Sequence, residues 1–474
     1  MYPVMKKLFF TALALVSFAS LNAQEYWELE KCVNYALENN LTIKQSELSA
    51  RIAEENLTQS KGSNLPNLNA FATNFYNFGQ TIDPFTNQFA TQRVRSNSLG
   101  VQANMNLFSG MRNYNTIKQR EYELQASRYD LDKSRNDITL AIASAYLQIL
   151  FFDEQVEAAR SQVAVTAKQV ERTSKLVRAG TLPQGSLYEV EAQLASEELV
   201  LTQNLNNLDI AYLNLKQILQ LPSEQDLRVV KPNIEISDDT KVESTPGQVY
   251  DKALNSLPDI KCAENRMLGA EKQVNAAKAN YYPSLTLSGS LGSGYSGLNQ
   301  NITGTTTQTV PVGTTASGEP VSTVVQIPTG TETKPFTDQL SDNFNQSVGV
   351  SLNIPIFNRF QISSGVSQAK ISAENQELAY ELTKNQVRQT IEQAYADAVA
   401  ALKNYKSNLK AVKALRESYT YMEKRYDVGM INAVDLTDSK NRLTRAESDL
   451  LRAKYDYIFK QKILDFYQGK AIAF

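Results

Sequence analysis

The side chains able to do chemistry in this chain are carboxylates, and three of them stand out by their placement. Asp435 and Asp438 follow Gly429, and Glu189 follows Gly180, in two stretches whose residues match at one constant separation: Gly180 with Gly429, Ser186 with Asp435, Leu187 with Leu436, Glu189 with Asp438. Ser186 with Glu189 has the S-x-x-E spacing of a capping box, and Asp435 with Asp438 that of an N-cap and its N3 acid. Carboxylate pairs can run glycoside hydrolysis, but no pocket is evident around these. The chain has no histidine, which removes histidine acid–base catalysis, Ser-His and Cys-His nucleophile pairs and every histidine-containing zinc site. No phosphate loop or metal cluster is present, and no cofactor is expected.

These acids sit where one long helix ends and another begins. Gly180 and Gly429 read as C′ residues, since glycine takes the left-handed conformation without a Cβ penalty. Ahead of them, about 114–179 and 367–428 read as uninterrupted helix. Ile138, Ile142, Ala145, Tyr146 and Ile149 recur at the 3–4 spacing of one buried face, and Val387, Ile391, Ala394 and Tyr395 repeat it. At ~1.5 Å per residue such helices are on the order of 90–100 Å long. Returning helices are expected over 186–219 and 435–466. Helices of this length must pack side by side as coiled coils.

The matching extends further back. A helical segment from Leu29 to Ser63, with a break near Asn39-Asn40, has a twin opening at Thr245-Pro246-Gly247-Gln248, an N-cap with proline at N1 and a capping-box glutamine. After Pro66 and Pro283 the period changes to two. Leu99, Val101, Ala103, Met105 and Leu107 alternate with Ser98, Gly100, Gln102, Asn104 and Asn106; Val348, Val350, Leu352, Ile354 and Ile356 repeat the stripe, and Leu285, Leu287 and Leu291 form a third. Asn67 to Asn77 is a fourth, poorly alternating strand. Each is close to the ~9–11 residues of a membrane strand; a soluble sheet over a core has the same periodicity. A short polar loop, about 79–93, separates the first pair of strands, and a long Thr-, Gly- and Ser-rich loop, 296–346, with too few apolar residues for a core, separates the second. The expected organisation is a signal peptide at 1–23, a first repeat at 24–222 (helix, two strands, long helical hairpin), a linker at 223–244 and a second repeat at 245–474.

Lys6 and Lys7, the apolar run Leu8 to Phe18 and Leu21-Asn22-Ala23 make the export signal. No later run is long and apolar enough for a spanning helix, so membrane entry would have to be as a barrel. The formal charge of −2, with 42% hydrophobic and 21% charged residues, gives no sign of a nucleic-acid partner. Cys32 and Cys262 lie in helical patterns, and spacing leaves both a packed thiol pair and an oxidised one open.

Four strands cannot close a membrane barrel, since open edges leave backbone groups unpaired in lipid; symmetric association solves this, three copies giving twelve strands. With Ala36-Leu37-Glu38-Asn39-Asn40 and Pro66, the strand end Asn106 to Gly110 with its twin Asn353-Ile354-Pro355-Ile356-Phe357, and Val428-Gly429 ahead of Asp435-Leu436, the chain resembles the TolC-like outer-membrane efflux proteins over essentially its whole mature length. The resemblance implies an α+β fold of mostly long helices: a homotrimer whose twelve-stranded barrel lies in outer-membrane lipid and continues as a periplasmic helical tunnel. It implies an exit duct for an inner-membrane pump, joined through a periplasmic adaptor. By motif position it makes Asp435 and Asp438 the acids of the pore constriction, with Glu189 in the corresponding place, and makes Gly180 and Gly429 candidates for adaptor contact. Ile431 stands where the family carries a basic residue; Lys424 and Arg425 either substitute for it or form an ordinary solvated helix face.

A competing class is an exported structural or adhesive coiled coil without a conduit. It accounts for the helices and the Thr-rich loop, but not for four strands with one aliphatic and one small polar face. An enzyme is the weakest class. Cargo is chosen by the pump in such systems, so drugs, metal ions, peptides and proteins all fit the duct.

Overall fold

The computed structural model describes residues 26–470 apart from 92, 223, 233–235, 238–240 and 243. The expected export segment, residues 1–23, and the terminal Phe474 lie outside the described residues.

The chain opens with β1 (Tyr26–Trp27), α1 (Leu29–Asn39) and α2 (Leu41–Gly62), then β2 (Asn67–Asn77), the short β3 (Thr81–Ile82) and β4 (Phe89–Ala90), and β5 (Val94–Ser109). The hairpin α3 (Arg112–Arg178) and α4 (Gln184–Leu219) follows, then β6 (Arg228–Val229). The order then recurs: α5 (Pro246–Ser256), α6 (Pro258–Lys278), β7 (Ser284–Ser296), β8 (Gln300–Thr314), β9 (Pro320–Thr333), the one-turn-plus α7 (Phe336–Asp342), β10 (Asn345–Asn353), α8 (Gln361–Asp427) and α9 (Ala433–Tyr467). Both α3 and α8 have 67 residues, about 100 Å of helix. Two compact units result. Of the described residues, one holds those up to Ala53, Tyr122–Met267 and those from Asn375 on; the other holds Glu54–Glu121 and Leu268–Glu374.

The first unit is helical. Its main core gathers Ile142, Tyr146, Ile149 and Leu150 of α3, Leu215 and Leu219 of α4, Cys32 and Ala36 of α1, and Tyr455 and Ile458 of α9. The stripe read from sequence is therefore the buried one, and its counterpart on α8 packs Ile391 against Val249, Ala253 and Ile260. The Asn39-Asn40 break has a physical cause. Asn40 is extended (φ −64°, ψ 127°) and buried; its Oδ1 accepts from the Thr42 amide at 2.9 Å and its Nδ2 donates to the Ile218 carbonyl at 3.0 Å. One side chain thus caps α2 and ties it to the end of α4. Tyr26–Trp27 pairs in parallel with Arg228–Val229, so the linker carries a short strand. The Tyr146 hydroxyl donates to the Val230 carbonyl at 2.5 Å, and burial pushes its pKa upward. At the second repeat the Thr245 capping box forms as expected, with Pro246 at N1.

The second unit is built on one antiparallel sheet in the order β10-β7-β5-β2. The β5–β7 pairing joins the two halves of the chain. Register places Leu68, Ala103, Gly289 and Val348 side by side, and likewise Met105, Leu287 and Val350, so the aliphatic stripes share one face. That face is uncovered within the chain: Val348, Val350 and Leu352 are 83%, 63% and 60% exposed. β2 and β10 each have one pairing partner, leaving both outer edges of the sheet open. Gly110, which ends the Asn-Leu-Phe-Ser-Gly strand, has φ +61°, and a Cβ there would lie 2.5 Å from the Ala279 carbonyl oxygen.

The segment expected as a long loop at 296–346 is largely a β-hairpin. β8 and β9 pair over Gln300 to Thr333 around a turn at Gly318 (φ +82°), and α7 follows. Its many threonines and valines favour extended pairing, even though they supply too little apolar surface for a core.

Candidate functional site

The two hairpin tips use the same turn. The Gly429 amide donates to the Tyr426 carbonyl and the Met430 amide to the Arg425 carbonyl; in the first hairpin Gly180 donates to Val177 and Thr181 to Leu176. These are the paired bonds of a Schellman motif, which satisfies the last carbonyls of a helix and requires a left-handed residue at C′. Both glycines have φ +77°, and nothing lies within 4 Å of a Cβ built on either. Glycine is required here by backbone conformation rather than by crowding.

The N-caps of the helices that leave the tips lie three residues earlier than the spacing predicts. Asn432, not Asp435, is the N-cap of α9: its Oδ1 accepts from the Asp435 amide at 2.8 Å. Asp435 is then the N3 residue, and Asp438 lies in the next turn. In the first hairpin Pro183 occupies the N-cap position without a side-chain bond, and the Ser186–Glu189 capping box does not form. Ser186 instead donates its amide to the Pro183 carbonyl at 3.1 Å. The extended backbone of Pro183 starts the helix before Ser186 can cap it. The match between the hairpins survives, since Pro183 and Asn432 are themselves corresponding positions.

Relieved of capping, the acids point to water. Asp435, Asp438 and Glu189 are all exposed, and Asp438 pairs with Arg442 one turn on, at 2.9 Å. Macrodipole attraction for negative charge in a first turn adds a few tenths of a kcal/mol for Asp435. Apolar side chains of the same two turns are exposed as well: Val428 is 67% exposed, Met430 70% and Tyr188 62%. Of the two cations near Ile431, Arg425 lies over the Tyr421 ring at 5.9 Å.

A second charged group, absent from the sequence reading, lies between the two hairpins. Lys440 of α9 and Glu197 of α4 are 5% and 9% exposed, and Thr166 of α3 is fully buried. The Lys440 Nζ is 3.3 Å from Glu197 Oε1 and donates to the Thr166 hydroxyl, which in turn donates to Glu197. Gln193 and Gln162 donate to Glu197 Oε1 at 2.8 and 3.2 Å, and Gln193 also reaches Asn441 Oδ1 at 2.9 Å. Burial pushes the Lys440 pKa down, opposed by the adjacent carboxylate. A groove of about 490 Å³ lies alongside, lined by Gln155, Gln193, Asn441, Arg445 and Arg452 among others. Nothing in periodicity marks Lys440 or Glu197, since each follows the pattern of a solvated helix face.

Cys32 and Cys262 are buried free thiols. Burial raises the Cys32 pKa to about 12, and Cys262, buried and donating to Asp130 Oδ1 at 3.0 Å, rises to about 12 as well. Among the described residues no group of histidine, cysteine or acidic side chains is placed to hold a metal ion, and no helix is long and apolar enough to cross a membrane.

Paired long hairpins and a four-stranded sheet with a bare aliphatic face define the class of barrel-forming outer-membrane channels with helical extensions. The sequence profile described as outer membrane efflux protein matches residues 32–220 and 249–469. The chain belongs to the outer membrane efflux protein family and is an efflux channel of the outer membrane. It is 22% identical to the outer membrane efflux protein BepC of Brucella suis, over 89% of this chain and 81% of that protein. It is 23% identical to the outer membrane protein TolC of Escherichia coli, over 96% of this chain and 85% of that protein. Among solved structures, VceC of Vibrio cholerae shares the fold with a TM-score of 0.72 at 17% identity, covering 94% of this chain and 96% of VceC.

Proposed function

We propose that three copies of the chain close a twelve-stranded barrel, and that the assembly is a passive exit duct with no chemistry of its own, fed by an inner-membrane pump through a periplasmic adaptor. The observation that carries this reading is the sheet with two open edges and one exposed aliphatic face. Along the order β10-β7-β5-β2 successive strands alternate in direction. β10 of one copy can therefore meet β2 of the next in the same antiparallel sense, and the ring closes without an edge. Lipid then covers Val348, Val350 and Leu352, while the polar face lines water. A soluble rod would leave that aliphatic face in water, which disfavours the structural alternative.

The hairpin tips form the constriction in this reading. Three copies would bring Asp435 and Asp438 to one axis, six carboxylates in all, with Glu189 beside them; like charges at that spacing repel and attract cations. Gly180 and Gly429 would present the turn backbone to the adaptor. Single-channel conductance in a planar bilayer tests this, wild type beside Asp435→Ala/Asp438→Ala. The expected wild type is small and cation-selective, and the double variant conducts more with less selectivity. Conductance without any change in the variant would reduce the aspartates to solvated tip residues, and well-folded protein that does not conduct would overturn the duct.

A further inference from the structure

The polar face of the sheet is not open along its whole length. At the end where β2 connects to β5, the loop carrying β3 and β4 folds back over it. Side chains alternate across a strand, so Ser96, Ser98, Gly100 and Gln102 share that face with their partners Ser296, Gly294, Gly292 and Ser290. A Cβ on Gly294 would fall 1.9 Å from the Phe85 ring: the ring lies directly on the β7 backbone, on the polar side. Asp83 anchors the loop. It is 1% exposed, and its Oδ2 accepts from the Ser296 hydroxyl at 2.5 Å. Its Oδ1 accepts from the Phe85 and Thr86 amides and the Thr86 hydroxyl at 3.0, 2.8 and 3.1 Å. Ser296 is itself held by Gln339, fully buried, which bonds its amide at 2.9 Å and its carbonyl at 3.0 Å. Burial changes along the face accordingly: Gln102 and Asn104 are exposed, whereas Ser96 and Val94 are 5% and 2% exposed.

A buried carboxylate with both oxygens hydrogen-bonded and an aromatic ring seated on a glycine hold the loop against the sheet. We propose that the loop Thr81–Ala90 is a collar inside the outer mouth of the duct, with Phe85 as the side chain that limits the size of what leaves. This rests on the duct reading above, in which the polar face lines the channel, and takes the β2–β5 loop end of the sheet as the outward one. Three copies would set three Phe85 rings around the exit, a second constriction in series with the acidic tips and independent of them.

Because the tips limit current, the test avoids conductance. A reporter thiol, Gln102→Cys, sits on the polar face below the collar, and both native cysteines are buried. Intact cells are labelled from outside with a small charged methanethiosulfonate, then with maleimides on polyethylene glycol chains of rising length. The expected result is labelling by the small reagent, a size cut-off in wild type, and an upward shift of that cut-off in Phe85→Ala. Asp83→Asn, which loosens the anchor, should shift it the same way, and small-reagent labelling of each variant reports that it has folded and inserted. An unchanged cut-off in both variants, or no cut-off in wild type, would overturn the collar and leave the duct standing. If Val101→Cys, on the aliphatic face, is labelled by the charged reagent as fast as Gln102→Cys, the duct reading itself fails.

Discussion

The Lys440 ammonium lies 3.3 Å from Glu197, and the two residues belong to different helical hairpins. Both are buried, and the Thr166 hydroxyl bridges them. Two charges taken from water gain stability only when geometry and hydrogen bonds are good; here two glutamines and a threonine complete the carboxylate's shell. The pair ties the α3–α4 hairpin to α9 within the helical unit.

Removing one partner of such a pair leaves an uncompensated charge in the protein interior. Lys440→Met is expected to destabilise the helical unit by about 3–5 kcal/mol, while Lys440→Met/Glu197→Leu recovers most of that loss. Thermal unfolding of the detergent-solubilised protein, arranged as a double-mutant cycle, measures the coupling. Additive losses from the two substitutions would show that the residues do not act as a pair.

The buried thiols make stability depend on alkaline pH. Each has a folded pKa raised from the ordinary value of 9.0 to about 12. The unfolded chain therefore loses these protons first, and the stability present below pH ~9 is lost as pH rises toward ~12. Denaturation midpoints should fall across that window in wild type and fall less in Cys32→Ala/Cys262→Ala. At neutral pH the thiolate fraction is roughly a thousandfold below that of an ordinary thiol, so maleimide should label the native protein far more slowly than the protein in denaturant.

Gly180→Ala and Gly429→Ala each force a side chain into the left-handed region with no neighbour to strike. The expected cost is roughly 1 kcal/mol apiece, additive because the turns are separate. Calorimetry of the single and double variants checks this. A loss several times larger would mean that the tips are packed against another copy in the assembly.

The fold was legible wherever a period persisted over many residues. Ile142, Tyr146 and Ile149 on α3, and Val101, Ala103 and Met105 on β5, announce their faces because burial acts on every turn or every second residue. Helix starts were harder to read. Asn432 and Asp435 are both good N-cap types three residues apart, and only the chain path out of the Gly429 turn decides between them. Apolar content does not mark the 300–333 hairpin; its Thr-Val alternation carries a β preference of its own. Lys440, Glu197 and Thr166 leave no local trace, since what joins them is the packing of hairpins far apart in sequence. The seat of Phe85 on Gly294 is likewise a property of tertiary contact alone.

The β8–β9 hairpin has an unusual makeup for so exposed a segment. From Gln300 to Thr333 it contains no lysine or arginine, and the next basic residue, Lys334, is engaged with Asp342. A protease that cuts after basic side chains finds no cleavage site on this projection. Digestion by a trypsin-like enzyme would pass over it, while an elastase-like enzyme, which accepts small aliphatic residues, would meet Val310, Val312, Val321 and Val324 in succession. By composition alone, then, the hairpin differs in its susceptibility to these two classes of protease.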